Sequence, residues 1–198
     1  MSRFANISAA LLLGGASTRM GRDKAWLELR GEPAATRLAT LLASLFEDVL
    51  LVGGDPPAQA PGRRVPDLAG PACALRGVAS ALAAAREERV LVLATDLMAM
   101  TPDLLLALAA YPEADAVVPR TAGFAHPLCA LYRRAPTLAA AQHCLASESL
   151  ALKSLLARLD VRWFEGDDLA AIDPEGAALG NINTPDDYAR LVARESAA

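Results

Sequence analysis

The residues best suited to do chemistry lie in one stretch near the start, Leu12-Leu13-Gly14-Gly15-Ala16-Ser17-Thr18-Arg19-Met20-Gly21-Arg22-Asp23-Lys24. The continuously apolar run from Ile7 to Leu13 leads straight into three glycines, two hydroxyls and three cations. This is how a buried strand passes into an anion-binding loop. Without a Cβ, Gly14 and Gly15 let the main chain take left-handed angles and bring its N–H groups close to a ligand. Arg19 and Lys24 add charge against phosphate. The same residues also describe a plain turn with solvated cations. The spacing is neither Gly-x-Gly-x-x-Gly nor a loop closing on Gly-Lys-Ser/Thr, so the common dinucleotide and P-loop patterns are excluded.

A second candidate, Asp96, ends the clearest buried strand of the chain, Arg89-Val90-Leu91-Val92-Leu93-Ala94-Thr95. A carboxylate there can hold Mg²⁺, which keeps several waters and takes its other ligands from substrate phosphates. The alternative, a cap for the next helix, falls more naturally to Thr101, followed by Pro102 and Asp103. Asp67 in Val65-Pro66-Asp67 reads on its own as a turn aspartate. Near the end, Asn181 and Asn183 precede Thr184-Pro185-Asp186-Asp187. A capped final helix explains the latter four residues but not the two amides. His126, beside Pro127, and His143, in mid-helix, read as structural or surface residues.

The elements that must position these groups follow from periodicity. Residues 7–13 and 48–52 are expected as buried strands, and residues 58–62 as a surface connection. Leu38, Leu41, Leu42 and Leu45 make one helical stripe within 34–47. Helices are expected over 75–86, from Thr101, over 136–146 and over 149–159, where Leu152, Leu155, Leu156 and Leu159 align. Strands are expected over 89–96, 114–119, 126–132 and 161–164. Strand and helix alternate through the first half, which implies parallel pairing with helices on both faces and a ligand at the carboxyl ends of the strands. Both the Gly14-Gly15 loop and Asp96 fall there.

The chain has 198 residues, enough for a single α/β domain over 1–198 with one core. It is 54% hydrophobic but only 5% aromatic, so that core must be aliphatic. A net charge of −4 argues against a nucleic-acid partner. Cys73, Cys129 and Cys144 lie far apart without CxxC spacing, which suits neither a zinc site nor a disulfide framework and fits a reducing cytoplasm. Arg3 and the apolar run behind it faintly imitate a signal peptide. Cleavage there would remove the first strand, and no apolar run approaches the ~18 residues of a membrane helix.

The loop resembles the signature L-x-G-G-x-S-x-R-M-G-x-D-K of nucleotidyltransferases with the nucleotide-diphospho-sugar transferase fold, matching at Leu12, Gly14, Gly15, Arg19, Met20, Gly21, Asp23 and Lys24. Within that group the chain is most similar to the molybdenum cofactor guanylyltransferases, from Leu12 to about Tyr188. The resemblance implies a three-layer α/β/α, Rossmann-like fold with a mostly parallel sheet. It implies transfer of GMP from GTP to the terminal phosphate of molybdenum-bearing molybdopterin, with Mg²⁺ as cofactor and with other cofactor-assembly or molybdoenzyme-maturation proteins as partners. Carried over to this sequence, Leu12, Leu13, Gly14, Gly15, Lys24, Asp67 and Asp96 bind the nucleotide, and Lys24, Arg19 and Asp96 serve catalysis. Asp96 holds the metal, and Asn181 and Asn183 lie on the acceptor side. The sequence departs from the family's pattern at Met98 in place of a proline and at Cys73-Ala74 in place of Gly-Pro, although a Gly70-Pro71 pair stands three residues earlier. It departs again at Gly53, at or near the place of an asparagine. A CTP-using or sugar-phosphate transferase, and a non-catalytic nucleotide- or molybdopterin-binding homologue, remain the alternatives.

Overall fold

The computed structural model describes residues 3–13, 24–112 and 114–197. In chain order these residues form β1 (Phe4–Leu12), β2 (Glu28–Leu29), β3 (Glu32–Pro33), α1 (Ala34–Leu45), β4 (Phe46–Val52), β5 (Arg63–Val65), α2 (Ala74–Ala84), β6 (Arg89–Ala94), α3 (Pro102–Ala110), β7 (Ala116–Thr121), β8 (Phe124–Ala125), β9 (Cys129–Arg133), α4 (Arg134–Ala146), α5 (Leu152–Leu156), β10 (Val161–Phe164), α6 (Asp167–Ile172) and α7 (Pro185–Ala197). The main sheet runs β10-β7-β9-β6-β1-β4-β5, with β8 folded back on β7.

β1 pairs in parallel with both β4 and β6, β4 with β5, and β10 with β7. Only β9 and the short β8 run the other way. Successive residues of β1 face opposite ways, and both faces are covered. Ile7, Ala9 and Leu11 pack with Leu38 and Leu42 of α1 and Leu104, Leu105 and Leu108 of α3. Ala10 and Leu12 pack with Leu75, Val78 and Leu82 of α2 and with Ala141 and Cys144 of α4. The result is the expected three-layer α/β/α arrangement with an aliphatic core.

A smaller cluster matters more for the site. Leu27 and Leu29 from the start of the β2–β3 hairpin, Met98, Ile182 and Leu191 of α7 bury one another. Met98 is buried, and its carbonyl accepts a hydrogen bond from Arg37 Nη1 at 2.6 Å. Tyr188 of α7 donates its hydroxyl to the Glu28 carbonyl. The C-terminal segment is thereby clamped against the loop after β6.

At the opposite, amino-terminal edge of the sheet, Asp48 is buried on β4. It accepts hydrogen bonds from the Ser8 hydroxyl (2.6 Å), Arg63 Nε (2.9 Å) and the Arg86 amide (3.2 Å). Burial raises its carboxyl, but the hydrogen bonds from Arg63, Ser8 and Arg86 outweigh that and hold it below the ordinary value of 3.8.

The structure corrects several expectations. Within residues 58–62, expected as a surface connection, Ala60 packs into the core, and just beyond them Arg63–Val65 adds an edge strand to β4 for which the sequence held no expectation. The helix expected over 149–159 contracts to α5. Thr101 does occupy the N-cap position of α3, yet its side chain makes no capping bond, and its buried hydroxyl oxygen lacks a hydrogen-bond partner.

Candidate active site

β6, β1, β4 and β5 run parallel, so their carboxyl ends share one edge, and a cavity of about 420 Å³ opens there. Leu12, Leu13, Lys24, Asp67 and Asp96 all line it. Each reaches the edge for a local reason. Leu12 closes β1, where its carbonyl accepts from the Thr95 amide at 3.2 Å. The Leu13 amide then donates to the Val52 carbonyl at 2.9 Å. Asp96 follows β6 by two residues, and Lys24 begins a short 3-10 turn, Lys24–Trp26, that precedes the β2–β3 hairpin. Gly14, Gly15 and Arg19 lie outside the described residues.

At one end of the cavity, lined by Lys24 and Asp96, three side chains from distant parts of the sequence meet. Lys24 Nζ donates to Asn183 Oδ1 at 2.8 Å and lies 3.6 Å from Asp96 Oδ2. The Ile182 amide donates to the Asp96 carbonyl at 2.9 Å, while the Ile182 side chain sits in the cluster with Met98. The residue that replaces the family's proline therefore packs where the Asn183 segment is anchored. Asp187 Oδ2 accepts from the amides of Asn183 (3.0 Å) and Thr184 (2.9 Å), which fixes the segment at the start of α7. Asn181 is exposed and stands outside this cluster.

The other end is built around Asp67, two residues beyond β5. Its Oδ2 accepts from Arg76 Nη2 at 3.1 Å, and Arg76 Nη1 donates to the Gly70 carbonyl at 2.7 Å. Gly53, with φ +67°, lies beneath this carboxylate, and a Cβ there would stand 2.9 Å from Asp67 Oδ2. A side chain at 53 would displace Asp67, so glycine at this position makes room for the pair. Arg76 and Ser80 do not stand out as site residues in the sequence, and Cys73 stands out there only as a departure from the family's Gly-Pro. The one available signal was that Arg76 sits within the first turn of the helix expected after Asp67.

His126 keeps a structural role. Its Nε2 lies 2.6 Å from the Thr121 hydroxyl across the β7–β8 turn, and it does not line the cavity. Burial pushes its imidazole down, with Asp173 opposing. His143 is exposed on α4.

The comparisons fall in line with this geometry. The crystal structure of molybdopterin-guanine dinucleotide biosynthesis protein A from Archaeoglobus fulgidus superposes with a TM-score of 0.81, covering 96% of this chain and all of that one at 24% identity, which establishes the shared fold. A Chloroflexus aggregans protein named "Probable molybdenum cofactor guanylyltransferase" is 36% identical over 192 residues, covering 91% of each chain. A protein of the same name from Pelotomaculum thermopropionicum is 30% identical over 197 residues, covering 96% of this chain and 94% of its own. The fold is thus that of the nucleotide-diphospho-sugar transferase class. Residues 9–162 match the family described as "MobA-like NTP transferase domain", and the chain belongs to that family.

Proposed function

We propose that this chain transfers GMP from GTP to the terminal phosphate of molybdenum-bearing molybdopterin and releases pyrophosphate. The observation that carries the reading is that Lys24 and Asp96 meet at one end of the strand-edge cavity, with Asn183 bonded to the Lys24 ammonium beside it. The names of the relatives support guanine nucleotide and molybdopterin as the two substrates.

A phosphate oxygen of the acceptor attacks the α-phosphorus of GTP in line. The new P–O bond forms as the bond to the bridging oxygen breaks, and pyrophosphate leaves with that electron pair. An ionised phosphate needs no protein nucleophile and little help from a general base, so the chain's part is positioning and electrostatics. Gly14, Gly15 and neighbouring amides of the loop hold the triphosphate, Leu12 and Leu13 line the cavity beside the nucleotide, and Arg19 and Lys24 neutralise the charge that spreads over the transferring group. Asp67 binds the nucleoside end. Asn181 and Asn183 receive the acceptor, which brings its phosphate to the side of Lys24.

Asp96 supplies a single partly exposed carboxylate at the cavity. Among the described residues no group of three or more His, Cys, Asp or Glu side chains gathers that could hold a metal. That donor set fits Mg²⁺, a hard cation that keeps its waters and completes its shell with phosphate oxygens. Bound there, Mg²⁺ would neutralise phosphate charge and order the triphosphate. Among the described residues no helix is long and apolar enough to cross a membrane. The reading puts the work in a reducing cytoplasm, which suits three free cysteines, alongside other proteins of cofactor assembly.

Calorimetric titration of GTP, CTP, ATP and UTP with Mg²⁺, on the wild type and on Asp96→Ala, tests the nucleotide half. GTP-selective binding that needs the metal and is lost with Asp96 supports the reading. Preference for CTP would assign a cytidylyl transferase, and no nucleotide binding would overturn the reading altogether.

A further inference from the structure

The order β6-β1-β4-β5 separates the two ends of the cavity by three strand positions, roughly 14 Å at about 4.8 Å per strand. A nucleotide with its phosphates at Lys24 and Asp96 therefore presents its base to Asp67 and Arg76. These two side chains form a fixed pair. The Arg76 guanidinium is tied at one corner to the Gly70 carbonyl (2.7 Å) and at another to Asp67 Oδ2 (3.1 Å), while its Nε is buried without a partner. Among the described residues, Oδ1 of Asp67 receives only a long contact from the Ser80 hydroxyl at 3.5 Å. Nη2 keeps a second N–H, so a donor stands beside a carboxylate with spare acceptor capacity.

The four bases meet such a pair differently. Guanine sets one acceptor, O6, beside two donors, N1–H and N2–H₂. Cytosine offers one donor and then two acceptors, and would need a guanidinium free to donate twice. Here the Gly70 carbonyl already holds one of the Nη groups. Adenine and uracil lack two adjacent donors for the carboxylate.

We propose that Arg76 is a specificity-determining residue whose guanidinium donates to guanine O6, while the adjoining Asp67 carboxylate accepts from N1–H and N2–H₂. The inference rests on the guanine-nucleotide reading above and adds to it the residue that reads O6.

The test measures dissociation constants by calorimetry with Mg²⁺ for GTP, inosine triphosphate and 6-thioguanosine triphosphate, on the wild type, Arg76→Met and Arg76→Lys. Inosine lacks the 2-amino group, and the thio analogue replaces O6 with a poor acceptor. The wild type is expected to bind GTP about tenfold more tightly than the thio analogue, the size of one charge-assisted hydrogen bond. Arg76→Met is expected to lose that preference while keeping the preference for GTP over inosine triphosphate, and Arg76→Lys, which retains a donor, to recover part of it. Persistence of the O6 preference in Arg76→Met would overturn the proposal. So would loss of both preferences together, because Arg76 would then only position Asp67. A wild type that binds no GTP, or favours another base, removes the guanine reading itself and is distinct from either outcome.

Discussion

Replacing Lys24 with methionine separates a catalytic role from a structural one. Among the described residues, the Lys24 ammonium makes one hydrogen bond, to Asn183 at 2.8 Å, and one contact, with Asp96 at 3.6 Å. The Lys24 and Asp96 side chains are 17% and 23% exposed, so water still screens the ion pair. Such a pair contributes about 0–1 kcal/mol, and the hydrogen bond to the amide about 1 kcal/mol. The folded protein should therefore lose no more than about 2 kcal/mol, a fall in Tm of roughly 4–8 °C at this chain length. The reaction should lose more. A fixed donor facing charge that develops in the transition state is typically worth about 3–4 kcal/mol, or roughly 10²–10³ in kcat. Methionine keeps most of the length and packing of the aliphatic stem and removes the ammonium with its charge and its hydrogen-bond donors. Pyrophosphate release at saturating GTP and acceptor, measured beside a thermal melt, reads both quantities on one preparation. A kcat within about tenfold of the wild type would refute the role given to Lys24, whatever the melt showed.

Gly53→Ala places a side chain at φ +67° with its Cβ 2.9 Å from Asp67 Oδ2. The left-handed backbone costs about 1 kcal/mol, or about 2–4 °C in Tm. The displaced carboxylate should weaken GTP about tenfold by calorimetry, and unchanged affinity would break the link from Gly53 to Asp67. Asp48→Asn should destabilise by about 3 kcal/mol, because it leaves Arg63 facing a neutral partner in a largely buried site. The folded Asp48 carboxyl is held below 3.8, so its contribution is fully present above that value and fades as pH falls through the folded one. Urea midpoints should accordingly fall less steeply below pH 4 in the variant than in the wild type, and parallel profiles would count against Asp48 as an acid-sensitive brace.

Much of this arrangement is legible in the sequence because it depends on local pattern. The apolar runs of β1, β4 and β6 and the leucine stripe of α1 are strong signals for a sheet covered on both faces. The end of such a strand places Asp96 at the ligand edge before any fold is known. Lys24 and Asn183 are named by motif, 159 residues apart, and meet in space. What stayed hidden depends on partners rather than pattern. β5 is three residues long and carries Arg63 and Arg64, so only its pairing with β4 makes it a strand. Arg76 looks like any charged residue on a helix until the turn from Asp67 through Gly70 folds back beneath it. Thr101 stands where a cap belongs and does not cap, since backbone angles define the position but not where the hydroxyl points. Met98 reads as a mere departure from a motif, yet it packs against Ile182, whose amide is bonded to the Asp96 carbonyl.

The measurement closest to the central claim follows the α-phosphorus. The protein is incubated with Mg²⁺, molybdenum-bearing molybdopterin and GTP labelled at the α-phosphate, and the products are separated. The label should appear in a guanine dinucleotide of molybdopterin, with unlabelled pyrophosphate formed in equal amount, and Lys24→Met should suppress both. Label transferred only from CTP, or no transfer from any nucleotide in the presence of the acceptor, would contradict the account.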